Sequence, residues 1–205
     1  MEEVLNVNYW KEVRNEFHKI LENLSGIVLL THNSIEFPEI VDIIEQIKPD
    51  KQLTILYLSL IRTYDYMDLV LSSRQLNNKR FVFIDCPSSY AFTSDDDTNE
   101  CMYRKMPNNL QSMIDLIRQG VDKANPDIVI IDPITQFINF TRPTGTDLNN
   151  LYNFLKSLRD SINVFQDTFI LLYDTKMNIM QQLPKLSTDL ILKVEVIKGT
   201  PPWKD

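Results

Sequence analysis

Apolar residues along this chain come in two spacings, and the spacings alternate. Short unbroken apolar runs read as strands near residues 27–31, 53–58, 81–85, 128–132 and 168–173, and a sixth run, 189–196, begins apolar and then alternates as an edge strand does. Between them lie segments with apolar residues three and four apart, the spacing of amphipathic helices. Val7, Trp10, Phe17, Leu21 and Leu24 form the first such stripe, and Ile40, Ile43, Ile44 and Ile47 the second. Residues 67–76 read as a third helix, Leu110, Met113, Ile114, Ile117 and Val121 as a fourth, and Leu148, Leu151, Leu155, Leu158 and Ile162 as a fifth.

Helix-start chemistry fits these limits. Pro38 suits a first helical turn, Asn108 or Asn109 can cap the helix beginning near Leu110, and Thr146 or Asp147 can cap the one beginning near Leu148. Residues 87–107 read as the least regular stretch, a surface loop carrying Asp95, Asp96 and Asp97. Residues 177–186 read as a short helix or irregular turn, and 199–205 as a Pro-rich flexible tail. Strands alternating with helices predict an α/β fold with a single, mostly parallel central sheet and helices on both faces. No internal repeat or linker divides the 205 residues, so one domain is expected, with an N-terminal helix over 7–24 and a core over 26–196.

The stretch NPDIVIIDPITQF, Asn125–Phe137, organises the rest. Ile128 to Ile131 run without alternation, as in a strand covered on both faces, and the run ends on Asp132. Open α/β sheets bind ligands outside the carboxyl ends of their strands, so Asp132 stands where such folds work.

Composition narrows the function. A net charge of −7 and a pI near 4.9 argue against nucleic acid and anionic membranes as partners. No apolar run reaches the ~20 residues of a membrane span, and MEEVLNVNYW lacks a signal pattern, so a cytoplasmic protein is expected. Cys86 and Cys101 are too few for a disulfide framework or a metal cluster and read as free thiols.

In element order, and in DIVIIDPITQF followed later by LSTDLILKVEV around Asp189, residues 26–196 resemble the RecA-like ATPases, specifically the KaiC-like branch. The resemblance makes Asp132 the counterpart of the acidic Walker B residue. It places the strand at 168–173 between those at 27–31 and 128–132. It also implies side-by-side assembly, so a homo-oligomer or a protein partner is expected.

The family's first strand runs into a phosphate-binding loop of the form G-x-x-x-x-G-K-[ST], whose glycines let backbone N–H groups close around phosphates. Here that place reads Thr31-His32-Asn33-Ser34-Ile35-Glu36-Phe37-Pro38-Glu39, without glycine or lysine. Pro38 removes a donor, and Glu36 and Glu39 place negative charge where a phosphate would sit. The family's catalytic glutamate follows its second strand. Here the segment is Ser59-Leu60-Ile61-Arg62-Thr63-Tyr64-Asp65, without a glutamate.

The resulting expectation is a degenerate, non-catalytic RecA/KaiC-like domain that needs no cofactor and acts in regulation or signal transduction through protein contacts. Two alternatives stay open. One is a nucleotide sensor that binds through His32, Asn33, Ser34, Glu36 and Asp132 without hydrolysis. The other is a metal-dependent hydrolase or phosphotransferase using the strand-end acids Asp85, Asp132 and Asp174. Against each candidate stands a plainer role. Strand-end aspartates cap helices and hold loops, His32 can be a hydrogen-bonded loop residue, and Cys86 can be a buried thiol. Ser88 and Ser89 read as solvated loop. Tyr64, Tyr66 and Met67 read as core rim or contact surface, and Trp203 as a docking residue or a self-packed tail.

Overall fold

The structure is a computed structural model, and it describes residues 9–33, 35–74, 76, 78–91, 97–161, 168–179 and 186–194. Ser34, Asp95, Asp96 and Trp203 lie outside the described residues.

Seven strands form one sheet: β1 Gly26–His32, β2 Leu53–Ser59, β3 Lys79–Asp85, β4 Cys101–Tyr103, β5 Ile128–Asp132, β6 Thr168–Asp174 and β7 Leu190–Val194. Their order is β4-β3-β2-β5-β6-β1-β7, and every pairing is parallel. β6 therefore lies between β1 and β5, where the resemblance put it. The helices are α1 Tyr9–Glu22, α2 Phe37–Glu45, α3 Tyr64–Ser72, α4 Ser88–Ala91, α5 Leu110–Ala124, α6 Ile134–Thr141 and α7 Gly145–Ser161.

The unalternating strand runs are explained by apolar cover on both faces. Val129 and Ile131 of β5 join Leu56, Leu58, Leu29 and Leu171 in a core closed by α5, α6 and α7. Ile128 and Ile130 turn the other way, into a core with Val28, Tyr57 and Leu172 closed by α1, α2 and α3. Because side chains alternate along a strand, each strand feeds both cores. α5 lies close on the sheet at Gly120, where an added Cβ would come within 2.6 Å of a Leu56 methyl. β7 is the outer neighbour of β1 and has one buried residue, Leu192, in line with an edge strand.

Local chemistry sets the helix ends. Asn109 starts α5 through a reciprocal cap: its side chain accepts from the Ser112 N–H at 2.9 Å, and Ser112 Oγ accepts from the Asn109 N–H at 3.2 Å. α7 starts earlier than its apolar stripe suggests. Its cap is Thr144, whose Oγ1 accepts from the Asp147 N–H at 3.2 Å, while the Asp147 carboxylate accepts from the Thr144 N–H at 2.8 Å. Asp147 is thus the returning partner and not the cap.

Helix α6 is an element the apolar spacing did not predict; Ile134, Phe137 and Ile138 sit on one of its faces and enter the core. Two other expectations are corrected. α3 begins at Tyr64, three residues before the expected start. Residues 87–107 hold α4 and β4. Asp97 orders this segment: it takes a bidentate bond from Arg104, at 2.6 and 2.7 Å, and accepts from the Tyr103 N–H at 3.2 Å. Asp97 is therefore an exposed acid that is held in an ion pair.

Candidate functional site at the carboxyl ends of the strands

The parallel sheet places all its carboxyl ends on one rim. His32 ends β1, Ser59 ends β2, and Asp85, Asp132 and Asp174 end β3, β5 and β6. Register makes Ser59 the lateral neighbour of both Asp85 and Asp132, and His32 the neighbour of Asp174. The three acids share the rim, but β2 separates Asp85 from Asp132, and each has partners of its own.

Asp85 is committed to holding helix starts. Its carboxylate accepts from the Tyr64 N–H at 2.6 Å, the Ser88 N–H at 2.9 Å and the Ser88 hydroxyl at 2.7 Å. Asp174 Oδ1 accepts from the backbone N–H groups of Lys176 and Met177, at 2.8 and 3.3 Å, and so holds the turn after β6. Among the described residues no group of three or more His, Cys, Asp or Glu is arranged to hold a metal ion.

Asp132 is different. It is 1% exposed, and its Oδ2 accepts from both the Tyr57 hydroxyl and the Arg62 guanidinium. Arg62 reaches it because the turn after β2 is pinned. Ser59 Oγ accepts from the Arg62 N–H at 2.9 Å and donates to the Arg62 carbonyl at 2.6 Å. The second guanidinium nitrogen donates to the Ile35 carbonyl at 3.0 Å. One side chain therefore ties the end of β5 to the loop after β1.

That loop is held from the other side by His32, whose Nδ1 accepts from the Ile35 N–H at 3.1 Å. Ile35 is thus clamped at both its N–H and its C=O, and its side chain is buried. With Nδ1 accepting, neutral His32 carries its proton on Nε2. Nε2 of His32 and Oδ1 of Asp132 are buried and have no hydrogen-bond partner among the described residues. α2 then begins without a side-chain cap bond, with Glu36 at the capping position, Pro38 in the first turn and Glu39 exposed.

Burial dominates the electrostatics. It lowers the His32 pKa below its ordinary 6.5, against the pull of Asp174 and Asp132. Burial, with the Asp132 carboxylate behind it, raises Tyr57 well above its ordinary value. For Arg62 burial acts downward, but Asp132 and Tyr57 outweigh it and the guanidinium stays charged. The resulting unit is a buried acid neutralised by a buried cation, with a tyrosine as third partner.

Away from the rim, Cys86 and Cys101 are both buried free thiols, and burial, aided by Asp85, pushes each up to about 12. Ser88 belongs to the Asp85 cap, and Ser89 donates to the Cys86 carbonyl at 2.8 Å, so neither is loose loop. Met67 is fully buried, which removes it from any contact surface, whereas Tyr66 is exposed. Asp189 lies at the opposite end of the sheet. Its carboxylate accepts from the Ile27 N–H at 2.9 Å, Arg159 at 2.8 Å and the Tyr152 hydroxyl at 3.0 Å, joining β1, α7 and the start of β7.

Tyr57 and Arg62 escaped the reading of the sequence as site residues. Tyr57 looked like an ordinary strand residue. Arg62 was visible only as a basic residue where the resemblance puts a glutamate, and strand register was needed to bring it onto Asp132.

An all-parallel sheet of this order, with an acid ending β5 and β6 between β5 and β1, defines a RecA-like α/β architecture. Among solved structures the chain is similar to a KaiC-like protein from the hyperthermophilic archaeon Pyrococcus horikoshii, with a TM-score of 0.50 and 13% identity over 83% of this chain and 72% of that one. At that identity the likeness concerns the fold. No family model matches the chain, and no curated protein matches it.

Proposed function

We propose that this chain is a non-catalytic module of RecA/KaiC-like fold, a pseudo-ATPase that acts as a regulatory or scaffolding protein through contacts with other proteins. The observation that carries this reading is the Arg62–Asp132 pair. A Walker B carboxylate serves a nucleotide by facing a hydrated Mg²⁺. In this chain Arg62 and Tyr57 both donate to Oδ2 of Asp132, and the same guanidinium holds Ile35 in the loop that would cradle phosphates. A cation built into the protein thus meets the carboxylate that a bound cation would meet.

The loop supports the same reading. It lacks the glycines and lysine of a phosphate-binding loop, and Glu36 and Glu39 set carboxylates at the start of α2, where they oppose a triphosphate. Opening the site to Mg-ATP would require breaking a buried ion pair, a loss of about 3–5 kcal/mol.

Thermal unfolding with and without excess Mg-ATP tests the proposal. No change in Tm is expected. A ligand at ~100 times its Kd adds about 2.7 kcal/mol, a rise of about 5–10 °C for a chain of this size. A rise of that order would overturn the reading in favour of a nucleotide sensor, and ATP turnover abolished by Asp132→Ala would overturn it in favour of an enzyme.

A further inference from the structure

α2 and α3 lie side by side on one face of the sheet and are joined at two places. Near their starts the Tyr66 ring stands 6.3 Å from the Phe37 ring, and further along Arg74 forms an ion pair with Asp42. Beside these contacts apolar side chains stand in water. Leu69 is 70% exposed, Tyr66 39%, and Ile61, just ahead of α3, 36%. Tyr66 and Leu69 are three positions apart and share one side of α3, while Met67 anchors the other side in the core.

The border of this corner is acidic. Glu36, Glu39, Asp42 and Glu45 follow one another at three-residue spacing from the capping position of α2 to its end, and α3 adds Asp65 and Asp68. Residues 36–45 and 64–74 thus carry six carboxylates against one base, Arg74. The Arg74 guanidinium answers one of them: its bond to Asp42, with Glu45 and Glu39 behind it, raises its pKa above the ordinary value. Arg62 turns inward to Asp132 and leaves the border uncompensated. Much of the chain's net charge of −7 is therefore concentrated on one pair of helices.

We propose that the α2–α3 corner is the docking site for a basic amphipathic helix of a different protein. Its apolar side would cover Leu69 and Tyr66, and its lysines or arginines would meet Asp65, Asp68 and the carboxylates of α2. Such a helix complements the corner in both apolar content and charge. The same carboxylates repel nucleic acid and anionic membranes, and two copies of the corner facing each other would set acid against acid. The proposal rests on the reading that the chain acts through contacts with other proteins, and it supplies the place and the chemistry of the partner. Docking here has a consequence for the rim. Ile61 precedes Arg62 and Glu36 follows Ile35, so a helix bound at this corner lies against both segments that the Arg62 guanidinium joins.

Fluorescence anisotropy of the full chain with a labelled synthetic helix tests this. The probe has about 18 residues, with leucines at helical spacing along one side and lysines elsewhere. Saturable binding is expected, weakening as salt rises. Leu69→Ser should weaken it by about tenfold, and Asp65→Asn with Asp68→Asn should weaken it and flatten its salt dependence. Phe140→Ser with Ile179→Ser removes exposed apolar side chains away from α2 and α3 and should leave binding unchanged. The same peptide with glutamate in place of every lysine should not bind.

Failure of the lysine peptide to bind would overturn the proposal. So would equal binding of the glutamate peptide, binding that Leu69→Ser leaves intact, or an equal loss in the Phe140–Ile179 variant. Sedimentation separates a different protein from a second copy: wild-type self-association abolished by Leu69→Ser would assign the corner to another copy of this chain and overturn the proposal as well. Unchanged Tm values confirm that the variants fold. A Tm rise with Mg-ATP would overturn the non-catalytic reading and leave the peptide result standing.

Discussion

Arg62 and Asp132 close on each other across neighbouring strand ends, the guanidinium 11% exposed and the carboxylate 1%. Truncating one partner leaves the other charged and buried. Arg62→Met is therefore expected to lower the unfolding free energy by about 3–5 kcal/mol in urea titrations. Adding Asp132→Asn should recover most of that loss, because no uncompensated charge then remains. A cost below about 1 kcal/mol for Arg62→Met would mean that the pair behaves like an exposed one.

His32 gives the clamp on Ile35 a dependence on pH. Its folded pKa lies below 6.5, so the folded state resists the proton that the unfolded state accepts. The stability it contributes is complete above pH 6.5 and is lost as pH falls below that value toward the folded pKa. Protonation also removes the Nδ1 acceptor from the Ile35 N–H. In His32→Asn the amide oxygen can take the place of Nδ1 and does not titrate. The variant should match wild type near neutrality and lose less stability between pH 6.5 and 5. Parallel pH profiles for the two proteins would refute this role.

Gly26 begins β1 at φ +87°, and a Cβ there would lie 2.6 Å from Asp189 Oδ2. Gly26→Ala combines a disfavoured backbone conformation with a clash against the carboxylate that anchors Ile27, Tyr152 and Arg159. A loss of about 2 kcal/mol or more is expected in equilibrium unfolding. Gly145, in the first turn of α7, has nothing within 4 Å of an added Cβ, and Gly145→Ala should be neutral or stabilising by up to about 1 kcal/mol.

The thiols of Cys86 and Cys101 are 0% exposed and held near 12 by burial. A thiol-specific chromogenic disulfide should label neither in the native protein at pH 8 and both in urea. Rapid native labelling would place at least one thiol in a segment that opens readily.

Much of the fold was legible in the sequence for simple reasons. Runs such as Ile128–Ile131 lack alternation because both faces of a parallel strand are covered, and the stripe from Leu110 to Val121 repeats at the helical period because only one side of α5 is covered. The signal faded where an element is short or its stripe ambiguous. α6 carries three core residues in eight positions, and β4 has only three residues, with the Asp97–Arg104 ion pair joining the residues on either side of it.

The sequence by itself determined the strand-ending acids and the absence of glycine and lysine between His32 and Glu39, because these are properties of residue type at a place along the chain. Only the tertiary structure decided what the acids do. Asp85, Asp132 and Asp174 look alike in sequence, yet one starts helices, one is neutralised by Arg62 and one holds a turn. Which partner reaches a carboxylate depends on strand order and register, and those are fixed by packing between residues as far apart in the chain as Arg62 and Asp132.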